Sequence, residues 1–360
     1  MKIPELTKIF QIDGRVRSSQ EYGEGHINTT VLAELEDGRS YLLQAINTEI
    51  FRNVQELMDN IQKVTEYLRK KVMARGGDVQ RETLQIIPAR DGRLFYQDPS
   101  GTCWRVYPYI PGTVTYQSFD HPDIFQRCGE AFGGFLADLA GFPASTLYEV
   151  LPDFHNTRKR FEALLKAVES DTCGRVKEVE KEIRFALERE ELYGQITDML
   201  NSGQIPLRVT HNDTKVNNVL VDAQTGQGVC VIDLDTVMPG SCLYDFGDAV
   251  RFGAATEPED TRNPEAMAVN LELFTAFARG YLSGTRGTLT LREVESLPLG
   301  AMMMTLENGI RFLTDYLEGD TYFKIHRPGH NLDRCRAQFA LAADMERRMQ
   351  ELNAAVRAVQ

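Results

Sequence analysis

Two runs suited to strands, 31–36 and 40–46, flank Asp37-Gly38-Arg39 near the start of the chain, and this pattern predicts a β-hairpin. Apolar residues then fall at Phe51, Val54, Leu57, Ile61, Val64, Leu68 and Val72, in steps of three and four. That period is a helix's, with one face turned to a core. Gly76-Gly77 closes the pattern. Short strands are predicted at 84–89, 94–97 and 104–107, with turns at Asp91-Gly92 and 98–101. Residues 1–105 therefore read as a small, mostly antiparallel sheet with one helix.

Pro108, Pro111 and Gly112 interrupt this pattern, so 106–112 (VYPYIPG) reads as a linker. Beyond it the period is helical. Ile124, Cys128, Phe132, Phe135 and Leu139 mark one helix, and apolar positions from Val176 to Leu200 mark a long one. Helices at 267–282, 294–317 and 332–359 complete a mainly α second part, 113–360. Strands return within it only at 207–233.

Length and charge then narrow the function. A chain of 360 residues has room for about two domains, each with its own core. The net charge of −12 lacks the basic footprint of a nucleic-acid or anionic-membrane binder. No apolar run approaches the ~18 residues of a membrane span, and the first twelve residues hold no signal-like apolar segment. None of the six cysteines forms a Cys-x-x-Cys pair, so reduced thiols in a cytoplasmic protein are expected.

The candidate chemistry lies in LRVTHNDTKVNNVLVDAQTGQGVCVIDLD at 207–235. Two apolar strands, 219–222 and 229–232, flank a turn at Thr225-Gly226. Antiparallel pairing with Asp222 opposite Val229 sets Asn218 opposite Asp233, and Asp213 lies on the loop feeding the first strand. Three hard oxygen groups would then converge. Oxygen ligands suit Mg²⁺, and phosphoryl transfer needs a proton acceptor plus metal-neutralised phosphates. Asp213 is the candidate base, Asn218 and Asp233 the candidate metal ligands, and Lys215 a cation in reach of a transferring phosphoryl group.

His-x-Asp-x-x-x-x-Asn, followed by an apolar strand and Ile-Asp, resembles the catalytic loop and metal-binding segment of kinase-like folds. The chain has IDLD where protein kinases carry Asp-Phe-Gly, so it is more similar to the aminoglycoside phosphotransferase-like small-molecule kinases. The likeness also runs through EGHINTT at 24–30, WRVYPYI at 104–110, IDLDTVMPGSCLYDFGDAVRFGA at 232–254 and GIRFLTDYLEGDTYF at 309–323. Within that family it resembles the kinases of N-acetylhexosamines.

The resemblance implies an α+β, two-lobed, protein-kinase-like fold. Its parts would be an antiparallel β N-lobe at 1–105, a hinge at 106–112 and a larger, mainly α C-lobe at 113–360. The implied reaction transfers the γ-phosphoryl group of ATP, with Mg²⁺, to the C1 hydroxyl of N-acetylglucosamine or N-acetylgalactosamine. A kinase of another alcohol (choline, homoserine or an aminoglycoside) and a nucleotide-binding pseudokinase are the alternatives. Gly23 and Gly25 stand where a glycine-rich phosphate loop belongs, and backbone of Val106, Tyr107 and Tyr109 where a hinge holds the purine. His26, Asp248, Phe252, Arg311 and Tyr322 would face the sugar. On spacing alone, Glu307, Arg311 and Asp315 read instead as a solvated i, i+4 salt-bridge row. Gln44 departs from the family pattern, which has Lys or Arg there. The expected substitute for the missing charge pair is Gln44 with Asn60 on the following helix.

Overall fold

The computed structural model describes residues 2–23, 27–116 and 121–360. The chain forms two compact units. The first combines Met1–Val114, Gly141–Pro152 and Leu220–Met238; the second combines Thr115–Ala140, Asp153–Val219 and Pro239–Gln360.

The first unit holds α1 (Ile3–Leu6), β1 (Val16–Glu21), β2 (Thr29–Leu35), β3 (Ser40–Ile46), α2 (Val54–Ala74), β4 (Tyr96–Gln97) and β5 (Cys103–Pro108). The strands form one antiparallel sheet in the order β1-β2-β3-β5-β4. The β2–β3 hairpin turns at Gly38, whose φ of 89° suits glycine. Leu6, Phe10, Ala33, Leu35, Leu43 and Val106 are fully buried together in its core. Every apolar position that predicted α2 is buried, and the Asn53 side chain caps the helix by accepting from Glu56 N–H.

The predicted strand at 84–89 does not form. Only Ala89 makes a bridge, to Phe10, and Pro88 lacks the N–H a ladder needs. Conversely, β5 continues through Pro108, into the segment read as a linker. A second small sheet joins Thr113–Val114, Val219–Asp222 and Gly228–Val231. Its hairpin closes with Asp222 N–H donating to the Gln227 carbonyl at 2.8 Å. The closure brings Asp222 to Gln227 in place of the expected Val229.

The second unit is helical: α3 (Pro122–Asp138), α4 (Thr157–Ser170), α5 (Glu180–Leu187), α6 (Gln195–Asn201), α7 (Cys242–Gly253), α8 (Leu271–Thr285), α9 (Leu291–Leu317), α10 (His330–Arg347) and α11 (Met349–Val359). The long helix expected from 176 to 200 is broken into short pieces, with Tyr193 folding back to donate its hydroxyl to the Ala186 carbonyl at 2.7 Å. The expected helix at 332–359 divides at Arg348. Met302, Met303 and Met304 are core residues of α9. Five cysteines are buried and Cys173 is exposed. Among the described residues no helix is long and apolar enough to cross a membrane.

Glycines set the helix spacing. A Cβ on Gly280 of α8 would lie 1.9 Å from the Gln126 carbonyl oxygen of α3, and one on Gly133 of α3 would lie 2.2 Å from that of Tyr281. Likewise, a Cβ on Gly247 of α7 would lie 2.3 Å from the Gly300 carbonyl oxygen of α9. In an open helix, Gly→Ala gains about 1 kcal/mol. Gly280→Ala is expected to reverse that sign and lose about 1–3 kcal/mol, because backbone cannot yield as a side chain can. Denaturant titration measures it; an unchanged or raised midpoint would contradict the close crossing.

Candidate active site

The segment 211–218 leaves the short strand Arg208–Thr210 in the second unit. Asn212 takes the left-handed conformation (φ 64°), which Asn tolerates better than most residues. The Asp245 carboxylate on α7 accepts the His211 N–H at 2.9 Å and the Asn212 N–H at 2.7 Å. The Thr214 hydroxyl donates to the Asp245 main-chain oxygen. Burial pushes the Asp245 carboxyl above its ordinary range despite the bonds it accepts. His211 serves the loop itself, its Nδ1 accepting the Asp213 N–H at 3.3 Å.

Asp213 and Lys215 form an ion pair, Nζ to Oδ1 3.1 Å, with 21% of the acid and 38% of the lysine side chain exposed. Burial works against the charge on Asp213, but Lys215, His211 and Arg251 outweigh it and hold the carboxyl below its ordinary range. Asp213 and the nearby Asp248 in turn raise Lys215, against the pull of burial. Asn218 is buried, and its Nδ2 donates to the Asp213 carbonyl at 2.8 Å. That bond leaves Oδ1 as the side chain's oxygen donor.

One turn beyond Asp245, Asp248 is buried on α7. Its Oδ1 accepts from Arg251 Nε at 2.9 Å, while Arg251 also pairs with Glu259. Its Oδ2 is buried and has no hydrogen-bond partner among the described residues. An unsatisfied buried acceptor costs about 1–3 kcal/mol. Phe252, half-buried, ends the same helix.

Glu307 and Asp315 are not members of a solvated row: both are buried on α9. Asp315 accepts the N–H groups of Thr321, Tyr322 and Phe323 at 2.8–2.9 Å, which fixes the loop carrying Tyr322. Tyr322 itself is 63% exposed. Between them, the Arg311 guanidinium lies over the Phe154 and Phe323 rings, 5.5 and 5.3 Å from their centroids. Arg160 donates to the Phe154 carbonyl. Burial, then the neighbouring Arg311, pulls the Arg160 guanidinium below its ordinary value. Neither arginine has a carboxylate within ion-pair distance among the described residues.

In the first unit Gln44 does not meet Asn60. Asn60 bonds the Tyr148 main chain in both directions and donates to the Val237 carbonyl. Gln44 instead stands in ladder register with Arg105 of β5. Its Oε1 accepts from Arg105 Nε at 3.0 Å, and its Nε2 donates to the Thr30 hydroxyl at 3.0 Å. Arg105 makes a bidentate pair with Asp235, their side chains 1% and 6% exposed. Asn28 Nδ2 donates to the same carboxylate at 2.6 Å. The buried charge beside Gln44 thus comes from β5. Asp233, two residues before Asp235, has φ 60° and opens the turn Leu234–Thr236.

The remaining positions are also placed. Gly23 lies just past β1 with φ 79°, while Gly25 and His26 fall outside the described residues. The Val106 carbonyl accepts from Ile87 N–H, and Tyr109 N–H donates to the Ser40 carbonyl. The Tyr107 ring is buried 5.3 Å from the Arg105 guanidinium, and Tyr109 meets Tyr22 edge-on. Sequence reasoning missed Arg105, Asp235, His155 and Arg160. The signal for Arg105 was a lone charge inside the apolar strand WRVYP.

The chain matches the family model described as phosphotransferase enzyme family over residues 18–288. A spectinomycin phosphotransferase solved with ADP and spectinomycin is 13% identical, with a TM-score of 0.61 over 96% of this chain and 97% of that one. Choline kinase from Cryptosporidium parvum Iowa II is 13% identical, with a TM-score of 0.63 over 99% and 98%. A microcompartment-associated aminopropanol kinase is 16% identical, with a TM-score of 0.61 over 97% of both chains. At these identities the likeness shows the fold, and the expected kinase-like architecture of β N-lobe and helical C-lobe is found. By the extent of the family match, the chain belongs to the phosphotransferase enzyme family.

Proposed function

We propose that the chain is an N-acetylhexosamine 1-kinase, moving the γ-phosphoryl group of ATP to the anomeric hydroxyl of N-acetylglucosamine or N-acetylgalactosamine in the cytoplasm. Asp213, held ionised by Lys215, His211 and Arg251 against the cost of burial, orients that hydroxyl and takes its proton. An anomeric hydroxyl is more acidic than an ordinary alcohol, so positioning carries most of the barrier reduction. Lys215 faces the transferring group. Asn218 and Asp233, each an oxygen donor of the kind Mg²⁺ prefers, would hold that ion, which when bound neutralises charge on the phosphates. Gly23, Gly25, Gln44 and the backbone at Val106, Tyr107 and Tyr109 serve the nucleotide. His26, Asp248, Phe252, Arg311 and Tyr322 serve the sugar.

One observation carries the choice of acceptor. In the second unit Arg311 lies close enough to Arg160 to depress it, neither arginine has a carboxylate within ion-pair distance among the described residues, and Asp248 Oδ2 has no donor among them. A cationic alcohol such as choline or an aminoglycoside would be repelled by the first pair. A neutral polyol suits each feature, since a hydroxyl accepts from a guanidinium and donates to a carboxylate. The pseudokinase reading is disfavoured because Asp213, Asn218 and Asp233 are all present.

The test is ADP release with neutral hexosamines, choline and kanamycin as acceptors. Turnover confined to the cationic acceptors would overturn the assignment. Asp248→Asn is expected to raise the hexosamine KM about 10- to 100-fold, as for loss of a charged hydrogen bond, and to leave the ATP KM unchanged. An unchanged hexosamine KM would remove Asp248 from the sugar site.

A further inference from the structure

His155 lies on the loop entering α4, buried, with a carboxylate on one side of its ring and a main-chain carbonyl on the other. Nδ1 is 2.9 Å from Glu307 Oε1 of α9, and Nε2 is 3.1 Å from the Asn212 carbonyl oxygen. A carbonyl only accepts, so Nε2–H donates to Asn212. The second Glu307 oxygen accepts from the Thr157 hydroxyl at 2.7 Å, and both acid and imidazole are almost fully buried. Burial disfavours the charge on Glu307, but His155 and Arg311 prevail and keep its carboxyl low. The ring is thereby clamped between Glu307 of α9 and the Asn212 carbonyl. The Tyr244 ring of α7 covers it, centroids 5.0 Å apart.

Asn212 immediately precedes Asp213, and it is the one residue of this loop from His211 to Asn218 with positive φ. Its N–H is held by Asp245 of α7 and its C=O by His155. Both peptide groups flanking the left-handed turn are thereby tied, each to a different helix region. Rotation of either would swing the Asp213 side chain. Glu307 stands one turn before Arg311 on α9, so the same helix carries the anchor of this clamp and an arginine of the acceptor site.

We propose that His155, held by Glu307, is a positioning residue that fixes the Asn212–Asp213 peptide and with it the direction of the Asp213 carboxylate. The proposal rests on the reading of Asp213 as the base of a kinase, and its test separates the two. His155→Asn and the near-isosteric Glu307→Gln are compared with the full-length parent by hydrogen exchange of the 211–214 segment and by steady-state kinetics with Mg-ATP and N-acetylglucosamine.

In His155→Asn, exchange at 211–214 is expected to rise, and kcat to fall about a hundredfold, as for a base displaced by about an ångström. The KM values should stay within about twofold. Glu307→Gln should move both readouts in the same direction, and the double variant should lose no more kcat than His155→Asn alone, because the two residues act as one unit. If His155→Asn fails to fold, Glu307→Gln, which keeps size and shape, carries the same two readouts. Unchanged exchange at 211–214 overturns the clamp, whatever the activity. Faster exchange with unchanged kcat overturns its catalytic role. Strictly additive losses overturn the coupling through Glu307. A parent that exchanges as expected but transfers no phosphoryl group to N-acetylglucosamine overturns the acceptor assignment and leaves the clamp standing.

Discussion

Replacing Asp213 by Asn is expected to lower kcat about 10²- to 10⁴-fold while the protein remains folded and binds nucleotide. The two halves of that expectation have separate causes. Asn keeps the volume of Asp but cannot accept the proton of an attacking hydroxyl. The stability loss is small because the Asp213–Lys215 pair is partly exposed, with 21% and 38% of the two side chains open to solvent. Such a pair contributes about 0–1 kcal/mol. Asn218 still donates to the Asp213 main-chain carbonyl, a bond the substitution does not touch. Thermal unfolding beside turnover separates the effects. A variant that retains kcat would show that another group takes the proton.

Arg105→Met is expected to destabilise the first unit by about 3–5 kcal/mol, the cost of leaving a buried charge without its partner. Asp235 would keep only the Asn28 amide, and Gln44 would lose the donor to its Oε1. Restoring the balance by removing both charges, in Arg105→Met/Asp235→Leu, should recover most of that loss, since well-packed apolar residues often replace a buried pair without cost. Gln44→Ala breaks one hydrogen bond and should cost only about 1 kcal/mol. Denaturant midpoints of the four proteins measure the set. Equal losses for the single and double variants at Arg105 would mean that packing, and not the ion pair, holds this corner together.

The elements read well from sequence are those whose pattern is local. The α2 face repeats at helical steps against one core, and the β2–β3 hairpin carries its own Asp-Gly turn. The spacing of Asp213, Lys215 and Asn218 was legible for the same reason, since all lie in one loop. What failed depends on distant partners. Gln44 and Arg105 meet only because β3 and β5 pair in one register, and nothing near Gln44 announces it. The expected 84–89 strand is apolar enough, but Pro88 and the partner available to it decide otherwise. Glu307 and Asp315 share helical spacing with Arg311 and looked like a surface row. Their burial follows from what α4 and the loop at 319–329 place against α9, which periodicity does not encode. The closure of Asp222 on Gln227 was missed because a tight loop with Gly226 in the left-handed region was not foreseen.

The most direct test of the account is the site of phosphoryl transfer. The enzyme, Mg-ATP and N-acetylglucosamine are incubated, the phosphorus spectrum of the product is recorded, and ADP release is followed in parallel with the 1-deoxy sugar. The account predicts an anomeric phosphate ester from N-acetylglucosamine and no ADP release with the 1-deoxy analogue. A phosphate at any other hydroxyl, or equal turnover of the 1-deoxy sugar, would contradict it.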